Sequence, residues 1–175
     1  MTSATGEVSA MLEPWTFVIA SHAVAAGLAL VIGPFQILRR VKGDKIHVFI
    51  GRTWAGLMLW VAAGSFLFGG YGGAIDIFLR VLAVWTLFSV TTAIVLARRG
   101  DIRHHRGFMV GTYFGLVGAF IGVVAVHTRR VPSWFAAYPL MMSLIAVGIV
   151  AVAGFFLGGV VARYRREPSA SPTPL

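Results

Sequence analysis

The chain has 175 residues, 58% of them hydrophobic and 12% charged, with a formal net charge of +9 and no cysteine. A soluble domain carries about 25% charged residues, so this composition excludes a water-soluble globule, which needs more polar surface than the chain can supply. The lack of cysteine excludes disulfides, thiolate zinc sites, cysteine-ligated iron–sulfur clusters and covalently attached haem.

Residues 1–14 are polar, include Glu7 and Glu13, and hold no Lys or Arg. A secretory signal needs a basic start, so no cleaved leader is expected and the first apolar run reads as a true span. A span takes about 20 apolar residues at about 1.5 Å rise each. On that measure the transmembrane domain covers 15–162, with predicted helices over 15–38, 49–70, 77–97, 107–128 and 138–162. The second runs into Gly69-Gly70-Tyr71-Gly72-Gly73. The apolar stretch from Val131 to Ala162 is too long for one simple span and is broken by Pro132 and Pro139. Proline suits the first turn of a helix, so the fifth helix is expected to start near Tyr138, with Trp134, Phe135 and Tyr138 as an aromatic belt. Residues 163–175 are basic, then Pro/Ser-rich and expected to be disordered.

Orientation follows from the cations. Twelve fall on one side: Arg39, Arg40, Lys42, Lys45 and Arg52; Arg98, Arg99, Arg103 and Arg106; Arg163, Arg165 and Arg166. Only Arg80, Arg129 and Arg130 fall on the other. By the positive-inside rule the N-terminus lies outside and the C-terminus in the cytoplasm. The same clustering argues for membrane loops and against a nucleic-acid partner. Arg outnumbers Lys thirteen to two, which fits a bacterial source and hence a bacterial cytoplasmic (inner) membrane. The predicted fold is an all-α integral membrane bundle of five transmembrane helices.

Within the bundle, Gly107, Gly111, Gly115, Gly118 and Gly122 form a stripe on helix 4, and Gly154 and Gly158 form a shorter one on helix 5. Small residues allow close helix approach in lipid, so these faces are expected to pack tightly. No Asp or Glu lies in the middle of a span, which argues against a carboxylate-driven transporter. HExxH, GxSxG and P-loop signatures are also missing, so no catalytic residue is assigned.

The five histidines are the informative residues. His22 and His127 sit toward the outer side; His47, His104 and His105 sit toward the inner side. His22, Ala26, Ala29, Gly33 and Gln36 share a small face of helix 1, within about 40° of His22. His105, Met109, Leu116, Phe120 and His127 share a face of helix 4 roughly opposite its glycines. Neutral imidazole is a common haem ligand. Two histidines on facing helices, backed by small residues that leave room for a flat macrocycle, would suit haem b. His22 with His127 would be the outer axial pair and His47 with His105 the inner pair. Arg52 and Arg106 would neutralise haem propionates or anionic lipid headgroups, with Gln36 as a further binding residue. About 33 Å of helix separates His105 from His127, which puts both near the membrane borders. Pro34 cannot donate a hydrogen bond and frees a carbonyl one turn back, giving either a kink that shapes a pocket or a tolerated bend.

The order of motifs is His22; Gly33-Pro34-Phe35-Gln36; His47 with Gly51-Arg52; then His105-Arg106 with Met109 and Tyr113. Over roughly residues 15–127 this resembles the membrane proteins grouped as domain of unknown function 2306. Two positions depart from that pattern: Val48 and Gly111 stand where the family has Arg. The resemblance implies a multi-pass membrane protein and brings no activity with it. From the residues, the leading expectation is a b-type cytochrome-like electron-transfer protein working with a membrane redox partner or quinone. The alternative is a non-catalytic accessory or lipid- or small-solute-binding protein, with a transporter third.

Overall fold

The computed structural model describes residues 16–67, 74–125 and 130–166, and every regular element among them is a helix. These are α1 (Phe17–Leu38), α2 (Lys45–Gly64), α3 (Ala74–Arg98), α4 (Ile102–Ala125), α5 (Arg130–Ala137) and α6 (Pro139–Arg166). All but α5 are long and apolar enough to cross a membrane, so the fold is an all-α bundle of five spans. The eight residues of α5 reach only about 12 Å, too short to cross. The polar segment 1–14, the glycine run 69–73, His127, Arg129 and the tail from Glu167 lie outside the described residues.

Helix starts differ from the hydropathy expectation because caps, not hydrocarbon, decide them. Helix α2 begins at Lys45, ahead of the expected 49, because the Asp44 carboxylate accepts from the His47 N–H at 3.0 Å. Helix α4 begins at Ile102, ahead of the expected 107, where Asp101 accepts from the His104 N–H at 3.2 Å. A side-chain oxygen at the cap satisfies an otherwise orphaned first-turn amide. The unanticipated α5 takes up the proline-broken stretch, with Pro132 in its first turn and Pro139 opening α6. Trp134 and Tyr138 of the expected aromatic belt meet with tilted rings, their centroids 5.2 Å apart.

The Asp101 cap carries a pH prediction. A hydrogen bond from the His104 ring at 2.7 Å, and then one from the His104 amide, hold the Asp101 carboxyl below its ordinary value of 3.8. A carboxylate with a depressed folded-state pKa contributes stability above the unfolded value, and that stability is lost as pH falls through the folded value. The first turn of α4 is therefore expected to hold at neutral pH and to loosen only below pH 3.8. Amide-exchange protection at His104 should fall in that acid range, and the fall should be much reduced in Asp101→Asn.

Helix α1 packs on α2, α4 and α6; α2 packs on α3 and α6; α3 packs on α4. Helices α1 to α4 thus form a ring, and α6 lies outside it along α1 and α2. Two tight connections, 39–44 and 99–101, make neighbours antiparallel. Each turns on a glycine in the left-handed region, Gly43 at φ +82° and Gly100 at φ +79°, where a side chain would be strained. The core runs through Ala29, Ile32, Ile50, Trp54, Met58, Val90 and Leu116.

The glycine stripe of α4 does not do the packing expected of it. A Cβ at Gly107, Gly111, Gly118 or Gly122 would meet nothing within 4 Å, and one at Gly115 would only touch Leu82 at 3.8 Å. Gly154 and Gly158 on α6 are equally open. Helix α4 turns its other face inward, through Met109, Thr112, Tyr113 and Leu116. The physical reason lies on α1, whose facing surface is itself small at Ala29 and Gly33, so large α4 side chains fill the gap. Side chains press instead on glycines of α1: a Cβ at Gly27 would lie 3.1 Å from the Ile149 side chain of α6.

Candidate functional site

The Gly33-Pro34 step is a docking notch for two aromatic side chains. Pro34 lies inside α1 and has no N–H to give the Leu30 carbonyl. The Tyr113 hydroxyl donates to that carbonyl at 3.4 Å. One residue earlier, the Trp54 indole N–H donates to the Ala29 carbonyl at 2.9 Å, with Trp54 only 3% exposed. A Cβ on Gly33 would lie 2.4 Å from Tyr113 Cδ2 and 3.3 Å from Trp54 Nε1. Around this step α1 thus gives carbonyls to α2 and α4, and the space beside it is filled by protein.

One turn further along α1, at the end of the bundle that carries most of the cations, lies a polar cluster. The Gln36 amide N–H donates to the His47 carbonyl at 2.8 Å, tying the end of α1 to the start of α2. Gly51 makes room for this, since a Cβ there would sit 3.0 Å from Gln36 Nε2. The other amide atom, Gln36 Oε1, and the ring atom His47 Nδ1 are buried with no hydrogen-bond partner among the described residues. Across the ring, His105 Nδ1 lies 2.8 Å from the Ala93 carbonyl of α3. A carbonyl only accepts, so Nδ1 carries the proton, and in the neutral ring Nε2 is left as an acceptor.

The electrostatics of this end are lopsided. Lys42, His105, Asp44 and Arg39 all lie within electrostatic reach of His47. Asp44 is engaged twice, by its ion pair with Arg39 and by capping α2. Lys42 donates to the carbonyls of Gln36 and Ile37, each at 3.0 Å, closing the end of α1. Burial, and then the Arg106 guanidinium, push the Lys42 ammonium below its usual range. Two cations therefore share a corner in which, among the described residues, the Asp44 carboxylate is already held by a third.

The fold brings Gln36, His47, His105 and Arg106 to this one corner. It does not bring Arg52 there: Arg52 is exposed, on a different side of α2, in a groove with Tyr164. His22 sits in the other half of α1, hydrogen-bonded to the Val61 backbone and beside Gly64. His127, its expected outer partner, is outside the described residues. Among the described residues no three metal-ligating side chains come together. The small face of α1 expected to leave room for a flat macrocycle receives Trp54 and Tyr113 instead, and a macrocycle there does not fit unless both rings move.

The sequence reading missed Trp54 and Lys42. Trp54 lies seven residues after His47, two turns along the same face, so helical spacing would have found it. Lys42 reaches its partners through the conformation of a turn, which no periodicity encodes.

No curated protein and no solved structure matches the chain. The family model described as predicted membrane protein DUF2306 matches residues 19–160, all the helical elements that build this corner included, and the chain belongs to that family.

Proposed function

We propose that the chain is a non-catalytic protein of the bacterial cytoplasmic membrane whose basic end, facing the cytoplasm, binds a small anionic solute between α1, α2 and α4. The observation that carries this reading is the pair of buried atoms without partners, His47 Nδ1 and Gln36 Oε1, next to the like-charged Lys42 and Arg106. Buried polar atoms are rarely left unbonded, and an anion is the ligand that would also offset the two cations. An acid phosphate or a hydroxycarboxylate fits both atoms: its anionic oxygens accept the imidazole and cation protons, and its remaining O–H donates to Gln36 Oε1.

The test is a stability screen of the purified protein in neutral detergent against inorganic phosphate and short carboxylates. A ligand at a hundredfold excess over its Kd stabilises by about 2.7 kcal/mol, a clear rise in melting temperature. A hydrogen bond to a charged group contributes about 1.5–3 kcal/mol, so His47→Ala is expected to weaken binding by about ten- to a hundredfold. If no anion raises the melting temperature, or if His47→Ala binds as the parent does, the reading is wrong.

Haem b is the second reading, and the observation favouring it is the His105 hydrogen bond to Ala93, which would leave Nε2 for iron. Its partner would be His47, with Trp54 and Tyr113 displaced. A visible spectrum of protein expressed with ample haem separates the two: a reduced-minus-oxidised band abolished by His105→Ala supports haem, and colourless protein excludes it.

A further inference from the structure

On the side of α2 away from the polar corner, the structure forms a second site, and we infer that it binds the headgroup phosphate of an anionic phospholipid. The groove lies between the start of α2 and the end of α6. It is lined by Gly43, Lys45, Val48, Phe49, Arg52 and Tyr164 and has a volume of about 290 Å³. That is at the bottom of the range for small-molecule pockets, right for a headgroup and too small for a macrocycle.

Its chemistry is arranged in two levels. Lys45 and Arg52 lie seven residues apart on one face of α2, about 10 Å along the helix, and both line the groove. Between them Val48 and Phe49 make an apolar wall, 39% and 44% exposed. The Phe49 ring stacks on Phe156 of α6 at 6.1 Å and tilts against Tyr164 at 6.3 Å. The α6 surface then continues past Phe156 as bare hydrocarbon-facing side chains, with Val152 59% and Ile145 45% exposed. Cations at the membrane border therefore sit directly above an apolar surface. Free phosphate would use only the first level; a phospholipid uses both, its phosphate between Lys45 and Arg52 and an acyl chain along α6. Basic pockets between helices at the cytoplasmic border take anionic headgroups by this arrangement.

The site shares no residue with the corner around His47, so the two stand or fall separately. The test is native mass spectrometry of the full chain in neutral detergent, with phosphatidylglycerol, phosphatidylcholine or inorganic phosphate added. Phosphatidylglycerol is expected to be retained in preference to phosphatidylcholine, and inorganic phosphate at equal concentration is expected not to compete. At about tenfold or less per basic residue, the double variant Lys45→Gln/Arg52→Gln should bind phosphatidylglycerol about thirtyfold more weakly. His47→Ala should bind it as the parent does. Arg52 is exposed, so Arg52→Gln alone, expected to lose several-fold, serves if the double variant does not fold. Equal retention of the two lipids, unchanged affinity in both groove variants, or full competition by inorganic phosphate would overturn the assignment.

Discussion

Gly33→Ala should destabilise the bundle by about 1–3 kcal/mol, the usual range for an added methyl in a packed interior. The new carbon would lie 2.4 and 2.5 Å from Tyr113 Cδ2 and Cε2, inside van der Waals contact. Neither side can easily yield. Gly33 is fixed next to Pro34 inside α1, and Tyr113 is held by its hydroxyl bond to the Leu30 carbonyl. Removing the hydroxyl in Tyr113→Phe would not relieve the clash, because the colliding atoms are ring carbons. Removing the ring would, so Gly33→Ala should cost markedly less in a Tyr113→Ala background, a coupling a double-mutant cycle measures directly. Gly118→Ala is the control. Its Cβ meets nothing, and alanine is the better helix former, so its melting temperature should hold or rise. A Gly33→Ala protein as stable as the parent would mean that α1 and α4 do not approach as described.

The largest loss is expected at Trp54. Trp54→Ala empties the centre of the ring between α1 and α4 and should destabilise by about 3–5 kcal/mol, as truncation of a buried aromatic does. Trp54→Phe keeps most of the ring and loses the 2.9 Å bond to the Ala29 carbonyl. Interhelical hydrogen bonds in membranes average only about 0.6 kcal/mol, so most of the loss should come from volume. Denaturation in mixed micelles, followed by tryptophan-independent circular dichroism, gives both values. If the two variants were equally damaged, the hydrogen bond and not the packing would be holding α1 and α2 together here.

The five spans were legible because burial in lipid leaves a coarse mark: a run of apolar residues needs no partner to be recognised. The site was legible in part. Gln36, His47, His105 and Arg106 meet because polar residues near span ends gather wherever the helices end together. The faces of α4 were misjudged because a stripe of glycines states only that a helix can be approached closely, not that one is. What decides the matter is the shape of the facing surface, and Ala29 and Gly33 on α1 call for bulk, which Tyr113 supplies. Arg52 and Arg106 both follow a loop histidine in the sequence, but five residues past His47 on a helix is about 140° around the axis, enough to turn Arg52 into a different groove.

The bond between Leu30 and Tyr113 spans 83 positions of chain, and this has a consequence for biosynthesis. Helix α1 leaves the ribosome and enters the bilayer well before α4 has been translated. Until then, the carbonyl that Pro34 strips of its amide faces hydrocarbon, where an unmet polar group carries a penalty of several kcal/mol. The nascent first hairpin is therefore an uneasy lodger in lipid. It settles only when the fourth segment arrives with its phenol, so a ribosome stalled between the two should leave a segment that the insertion machinery holds back.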